Sequence, residues 1–117
     1  MPTIRDLVVA IRQRDGVDAA VVLGRDGLLI DHQAQPDLDT ESVAAFVPSI
    51  LQHADELGAA ARQGHLLTAV HEHETGAVVI AAMSTEAVLL VLVQPHADLG
   101  ALLFDLRRHR ANIAALV

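Results

Sequence analysis

The chain has 117 residues, 52% of them hydrophobic, with no cysteine and a formal net charge of −7. This length predicts one domain, residues 1–117, and the missing cysteine excludes disulfides, Fe–S clusters and thiol nucleophiles. The acidic balance argues against general nucleic-acid binding. All eight basic side chains are arginine, which excludes lysine Schiff-base chemistry and the lysine of a P-loop.

The N-terminal segment and the longest apolar run predict a soluble, cytoplasmic protein. Met1-Pro2-Thr3 leads directly into an amphipathic stretch, so we expect no signal peptide. The apolar run of residues 77–93 is interrupted by polar side chains at 84–86, and it is too short and too broken for a membrane-spanning helix.

The first part of the chain predicts a helix followed by a β-hairpin. Thr3 can cap a helix in which apolar residues recur at helical spacing up to Ile11, and Asp15-Gly16 ends it. Two short strands, Ala19–Leu23 and Leu28–Asp31, are then joined by the turn Gly24-Arg25-Asp26-Gly27.

A long second helix is predicted from Asp39 or Thr40 to about Gln63, with Gly64 as its stop. Pro48 lies well inside it and should bend the axis, because it removes the hydrogen bond to the Ala44 carbonyl. The alternative is two helices that meet at Pro48. Apolar side chains cover so wide an arc of this helix that it should pack against two partners.

Three strands and a last helix complete the predicted order α-β-β-α-β-β-β-α. The strands are His65–Glu74, Ala77–Met83 and Glu86–Gln94, and Asp98 caps the helix, whose apolar stripe extends to Leu116. Two of the strands are continuously apolar, which predicts cover on both faces of the sheet. Short connections favour a largely antiparallel sheet within an α+β fold.

The whole chain resembles the roadblock/dynein light-chain family, which includes the bacterial MglB-type proteins. The resemblance rests on the hairpin sequence GRDGLLI, the C-terminal sequence PHADLGALLFDLRRHRANIAALV and the alanine-rich middle helix between them. It implies a profilin-like, five-stranded sheet in the order 2-1-5-4-3, with the first and last helices on one face. It also implies a homodimer that joins two sheets through the third strand and the middle helix.

Two features of the residues agree with such a dimer: the middle helix is too apolar for one sheet face, and the third strand is an edge that needs a partner. The interface is predicted to comprise Ala45, Pro48, Ser49, Gln52, Leu66, Thr68, Val70, His71, Glu72 and His73.

Histidine is the one residue type that suggests metal chemistry. His71 and His73 share one face of the third strand, a spacing that can chelate a transition metal, with Glu74 or the dimer mate as a third ligand. Two ligands without cysteine make a poor site, so we expect polar positions at the dimer seam and no metal. Protonation of these histidines near neutral pH could loosen the dimer.

No catalytic site or cofactor is predicted. Ser49 and His53 are one helical turn apart, but Asp55 lies on another side of the helix, and no nucleophile elbow accompanies them. The carboxylate pairs Asp37/Asp39, Asp55/Glu56 and Glu72/Glu74 are interpreted as solvated surface. GRDGLLI joins two strands, whereas a phosphate loop needs a helix after it.

The arginines have ordinary explanations. Arg25 at the hairpin tip could be imagined as an arginine finger for a GTPase, but polar side chains simply suit turns. Arg107, Arg108 and Arg110 lie near the end of the last helix, where they complement its dipole.

By resemblance, the chain is expected to be a non-enzymatic homodimer that binds a Ras-like small GTPase and acts on its switch regions. The expected GTPase-binding surface is the doubled middle helix, with Glu41, Gln52, His53, Asp55, Glu56 and Arg62 as exposed contacts. The alternatives are a structural adaptor without nucleotide-state preference and a small-molecule sensor. The lack of tryptophan and tyrosine argues against a well-lined ligand pocket.

Overall fold

Five strands and five helices form the described part of the chain. The computed structural model describes residues 2–117. Met1 lies outside the described residues, and it belongs to the N-terminal segment from which no signal peptide was predicted. The elements are α1 Ile4–Arg12, β1 Val17–Gly24, β2 Leu29–Ala34, α2 Thr40–Ala45, α3 Val47–Ala60, β3 Thr68–His73, β4 Gly76–Ala82, β5 Ala87–Val93, α4 Leu99–Arg108 and α5 Arg110–Ala114.

The strands form one sheet in the order β2-β1-β5-β4-β3. Every neighbouring pair is antiparallel, so the predicted order and direction are both confirmed. β1 and β5 are almost wholly buried because helices cover both faces of the sheet centre. This cover explains why the strands are continuously apolar.

Each face of the sheet has its own aliphatic core. On one face, Val8 of α1 and Leu102 of α4 pack against strand residues such as Leu89. On the other, Val47 and Leu51 of α3 pack against residues such as Leu90. The prediction that the first and last helices share a face is thus confirmed.

The middle helix is two helices. The prediction of one long bent helix was wrong, and the alternative of two helices is confirmed, although they do not meet at Pro48. α2 ends at Ala45 and α3 begins at Val47, so the break lies at Phe46 and not at Pro48. Pro48 lies in the first turn of α3, where its missing N–H leaves no helical bond unmade. A proline therefore starts the second helix here and does not bend a continuous one.

α3 ends at Ala60, before the predicted Gly64. Arg62 holds the left-handed conformation with φ of 59°, and the Gln63 N–H donates to the Gly58 carbonyl at 2.7 Å. Together with the bond from Arg62 N–H to the Ala59 carbonyl, this is a Schellman motif with arginine where glycine is usual. Gly64, also at positive φ, then carries the chain back across the helix.

The last helix is also divided, contrary to the single helix predicted from Asp98. Asp98 does cap α4, accepting from the Ala101 N–H at 3.0 Å, but α4 ends at Arg108 and α5 begins at Arg110. The Arg110 guanidinium donates to the Thr68 hydroxyl at 3.1 Å, which ties α5 to the start of β3. A tertiary contact of this kind is invisible to helical periodicity.

Candidate interaction surface

β3 forms an edge of the sheet whose outer side has no strand partner within residues 2–117. Its inner side pairs with β4, with Ala69 opposite Ile80 and His71 opposite Val78. Ala69 packs into the core under α3, so alternation places His71 and His73 on the α3 side and Val70 on the other. The predicted edge strand is confirmed, but it covers Thr68–His73 and not His65–Glu74, because residues 65–67 belong to the loop before it.

An apolar groove of about 400 Å³ separates α3 from β3. Its walls are formed by Ser49, Ile50, His53, Ala54, Leu57, Ala69 and His71. Leu57 is 70% exposed and Phe46 is 69% exposed. Phe46 immediately precedes α3 and has helical backbone angles. It lies eleven positions before Leu57, about three helical turns, so the two side chains are on the same side of α3. We call this groove, with Phe46 and the outer edge of β3, the α3–β3 surface.

The other residues predicted at the dimer seam are divided between this surface and the interior. Pro48 packs towards the β1–β2 turn, where a Cβ at Gly27 would meet its Cγ at 3.1 Å. Leu66 is half-buried against the core on the sheet face that α3 covers. Thr68 accepts from Arg110. The exposed remainder comprises Ala45, Gln52, Val70, Glu72 and His73.

Asp55 is held by its neighbours, so the interpretation of Asp55 as an exposed, solvated carboxylate was wrong. One carboxylate oxygen accepts from the Leu66 N–H at 2.8 Å, and the other accepts from Arg25 at 2.6 Å. The Leu66 N–H, and then the charges of Arg25 and His65, lower the pKa of Asp55. This contact joins α3 to the β1–β2 turn and to the loop before β3, and it occupies the arginine considered as a finger.

The remaining residues predicted to bind a partner are exposed: Glu41, Gln52, His53, Glu56 and Arg62. Gln52 donates to Glu56 one turn later at 3.3 Å, and the His53 ring nitrogen Nδ1 lies 2.7 Å from the Ser49 carbonyl oxygen. Gln52 and Glu56 thus form a polar pair on α3 beside the groove, whereas His53 is itself part of the groove wall.

The residues considered for catalysis do not form a triad. The Ser49 hydroxyl donates to the Phe46 carbonyl at 3.2 Å, the His53 ring contacts a backbone carbonyl, and Asp55 bonds Arg25. His71 and His73 stand edge to face with ring centroids 6.4 Å apart. Across residues 2–117, no three His, Cys, Asp or Glu side chains are grouped so that they could hold a metal ion.

A second concave region, which the sequence did not predict, lies at the end of the sheet that carries the β1–β2 and β4–β5 turns. This cleft measures about 800 Å³, and residues from α4, α5 and the loop before β3 complete its walls. The cluster Arg107, Arg108 and Arg110 was visible in the sequence, but the apolar residues facing it come from a distant part of the chain.

Comparison with known proteins identifies the fold and the family. The Roadblock/LC7 domain family model matches residues 3–93. This chain belongs to the Roadblock/LC7 family. The uncharacterized protein MJ1340 of Methanocaldococcus jannaschii is 26% identical over 110 residues, which are 94% of this chain and 96% of that protein.

Solved structures give the same result for the fold. The gliding protein MglB from Thermus thermophilus superposes with a TM-score of 0.84 at 16% identity, covering 96% of this chain and 86% of that one. A Roadblock/LC7 domain from Streptomyces avermitilis also gives 0.84 at 16% identity, covering 97% of each chain. Among residues 2–117, no helix has the length and apolar character needed to cross a membrane.

Proposed function

We propose that this roadblock domain is a non-enzymatic homodimer that binds and regulates a Ras-like small GTPase. The observation that carries the proposal is the α3–β3 surface, where an unpaired strand edge lies beside an apolar groove flanked by exposed Phe46 and Leu57. The likeness to MglB structures supports it at the level of the fold.

A second copy of the chain fits this surface on physical grounds. An unpaired edge strand offers a row of backbone donors and acceptors to another strand, and a two-fold axis presents the same edge twice. Pairing the two β3 strands would extend the sheet to ten strands and cover the groove from both sides. Large apolar side chains such as Phe46 and Leu57 would then leave water, which favours association.

The GTPase is proposed to contact the polar outer side of α2 and α3, which the two-fold axis doubles. Its contacts would be Glu41, Gln52, Glu56 and Arg62, because His53 lines the groove that the second copy would cover. Asp55 would act only by holding Arg25 and the loop before β3 in place. Arg62 supports this assignment, because its backbone is in the left-handed conformation, in which arginine is more strained than glycine. Residues held in strained conformations cluster at functional sites. With Arg25 bound to Asp55, the dimer would act by reshaping the switch regions of the GTPase.

The dimer is tested with two leucines that are equally exposed. Leu57 in the groove and Leu28 in the β1–β2 turn are each 70% exposed, so Leu57→Glu and Leu28→Glu place the same charge at equally accessible positions. Light scattering after size-exclusion chromatography should give a monomer for Leu57→Glu and a dimer for Leu28→Glu and the parent. A Leu57→Glu protein as dimeric as the parent would show that the seam lies elsewhere.

The GTPase is tested by affinity capture from the source organism's lysate, in parallel with GDP and with a non-hydrolysable GTP analogue. A small GTPase recovered preferentially in one nucleotide state by the parent and by Leu28→Glu, but weakly by Leu57→Glu, is the expected result. Recovery that ignores the nucleotide would contradict regulation and favour a structural adaptor.

A further inference from the structure

The cleft at the sheet end is separate from the α3–β3 groove and has a different character. Its floor and walls are mainly apolar and come from Leu66, Leu67, Ala82, Met83, Ala111 and Ala114. Leu67 is 59% exposed there, although it is a large apolar side chain. An exposed leucine at a concave apolar surface is typical of a site that receives another apolar group.

Positive charge is concentrated around this apolar floor. Four of the chain's eight arginines line the cleft, whereas Asp55 is the one carboxylate that does so, and Arg25 pairs with it. Arg107, Arg108 and Arg110 form no ion pair with any side chain of residues 2–117. A chain with a formal charge of −7 thus keeps three arginines at one place without an ion-pair partner among its described residues.

The helix dipole does not explain all three of these cations. Arg107 and Arg108 end α4, where positive charge is favourable, but Arg110 is the first residue of α5, where it is not. The Nη2 of its guanidinium donates to the Thr68 hydroxyl, and Nη1 is buried without a hydrogen-bond partner within residues 2–117. Burying part of a cation is costly unless an anion compensates it.

We propose that this cleft binds an acidic peptide segment of a partner protein. An apolar side chain of the peptide would lie on Leu67 and Met83, and its carboxylates would pair with Arg107, Arg108 and Arg110. Nucleic acid fits less well, because no tryptophan or tyrosine is present to stack on bases and the rest of the chain is acidic. This site requires neither the dimer nor the GTPase of the proposed function.

The proposal is tested by selecting peptides of about twelve residues from a random display library on the intact parent protein at about 50 mM salt. Enriched peptides should carry net negative charge and at least one large apolar residue. Selective ¹³C labelling of methionine methyls supplies a reporter inside the cleft, because Met83 is one of only two methionines in the chain. The Met83 signal should shift when an enriched peptide binds.

Three arginine variants distinguish peptide binding in the cleft from general electrostatic attraction to the protein. Arg107→Gln and Arg110→Gln should each weaken peptide binding about tenfold, the usual effect of losing a charged hydrogen bond. Arg107→Gln also keeps the test valid if loss of the Arg110–Thr68 bond disturbs the fold. Arg5→Gln is the control, because the Arg5 side chain is 57% exposed and pairs with Asp31 of β2, on the opposite edge of the sheet; its binding should be unchanged.

Several outcomes would overturn the proposal. These are an absence of enrichment, enrichment of neutral or basic peptides, a Met83 signal that does not move, and an equal loss of binding in Arg5→Gln. Enriched sequences that resemble the chain's own segment 72–74 would assign the cleft to a second copy and not to a different partner. None of these outcomes alters the light-scattering or nucleotide-state results that test the dimer and the GTPase.

Discussion

Alanine in place of Gly58 and of Gly100 should change stability in opposite directions, although both glycines lie in helices. At Gly58 of α3, a Cβ would come against the carbonyl oxygen of Gly64, far inside contact distance. At Gly100 of α4, the nearest atom would be an Asp98 carboxylate oxygen at 3.7 Å, an ordinary contact. The two sites therefore differ in space and not in secondary structure.

The magnitude follows from three contributions at Gly58. Alanine gains about 1 kcal/mol over glycine from helix propensity, but the clash with backbone costs about 1–3 kcal/mol as overpacking does elsewhere. Moving residue 64 also strains the Gln63 N–H bond to Gly58 and the Leu66 N–H bond to Asp55, each worth about 1 kcal/mol. We expect a net loss of about 2 kcal/mol. Gly100 lies in the first turn of its helix, so Gly100→Ala should gain about 0.5 kcal/mol.

Thermal and urea unfolding followed by circular dichroism, at one protein concentration for all proteins, measures both changes. For a chain of this length, about 1 kcal/mol moves the melting temperature by roughly 4 °C. Gly58→Ala should therefore melt about 8 °C below the parent and Gly100→Ala about 2 °C above it. A Gly58→Ala protein as stable as the parent would refute the close approach of Gly64 to α3.

Two further predictions concern the end of α3. Arg62→Gly should stabilise the fold by about 0.5–1 kcal/mol in urea unfolding, because glycine adopts the left-handed conformation without strain. Arg62→Ala keeps the strain and should be as stable as the parent. A glycine variant less stable than the parent would contradict the strain argument. The pKa of Asp55 is lowered from its usual 3.8, mainly by the Leu66 N–H. Below about pH 5 the unfolded state therefore binds more protons than the folded state. The contribution of Asp55 to stability is lost as the pH falls through 3.8 towards the folded-state pKa. Urea midpoints between about pH 7 and pH 3 should therefore fall more steeply for the parent than for Asp55→Asn, and parallel curves would show that the carboxylate charge contributes nothing.

The sheet could be predicted from the sequence because its determinants are local. Short turns join successive strands, and continuous apolar runs such as the one around Leu90 indicate burial on both faces. The order of the strands came with the family resemblance. Pro48 correctly indicated a disturbance of the middle helix, but its preference for a first helical turn placed the break two residues earlier.

The rest depended on contacts between distant parts of the chain. Local rules favour Gly64 as the residue that ends the helix, but Arg62 is the left-handed residue at its end. The loop that follows crosses close to the helix at Gly58, where there is no side chain to block it. Arg25 and Asp55 are 30 residues apart, so no spacing rule joins them. The cleft likewise forms only when the topology brings α5 beside the start of β3 and the β4–β5 turn.

The pairing of β1 with β5 has a consequence for how the chain folds. These two strands lie at the centre of the sheet, yet residues 17–24 must wait for residues 87–93 before they can pair. β3, β4 and β5, by contrast, are consecutive hairpins that close short loops. We expect this meander to form first and β1 to dock onto it across about 70 residues of chain, which is the slow, high-contact-order step. During synthesis, the side of β1 that pairs with β5 stays unpaired until residues 87–93 have been made. We expect the chain to be most prone to aggregation during this interval.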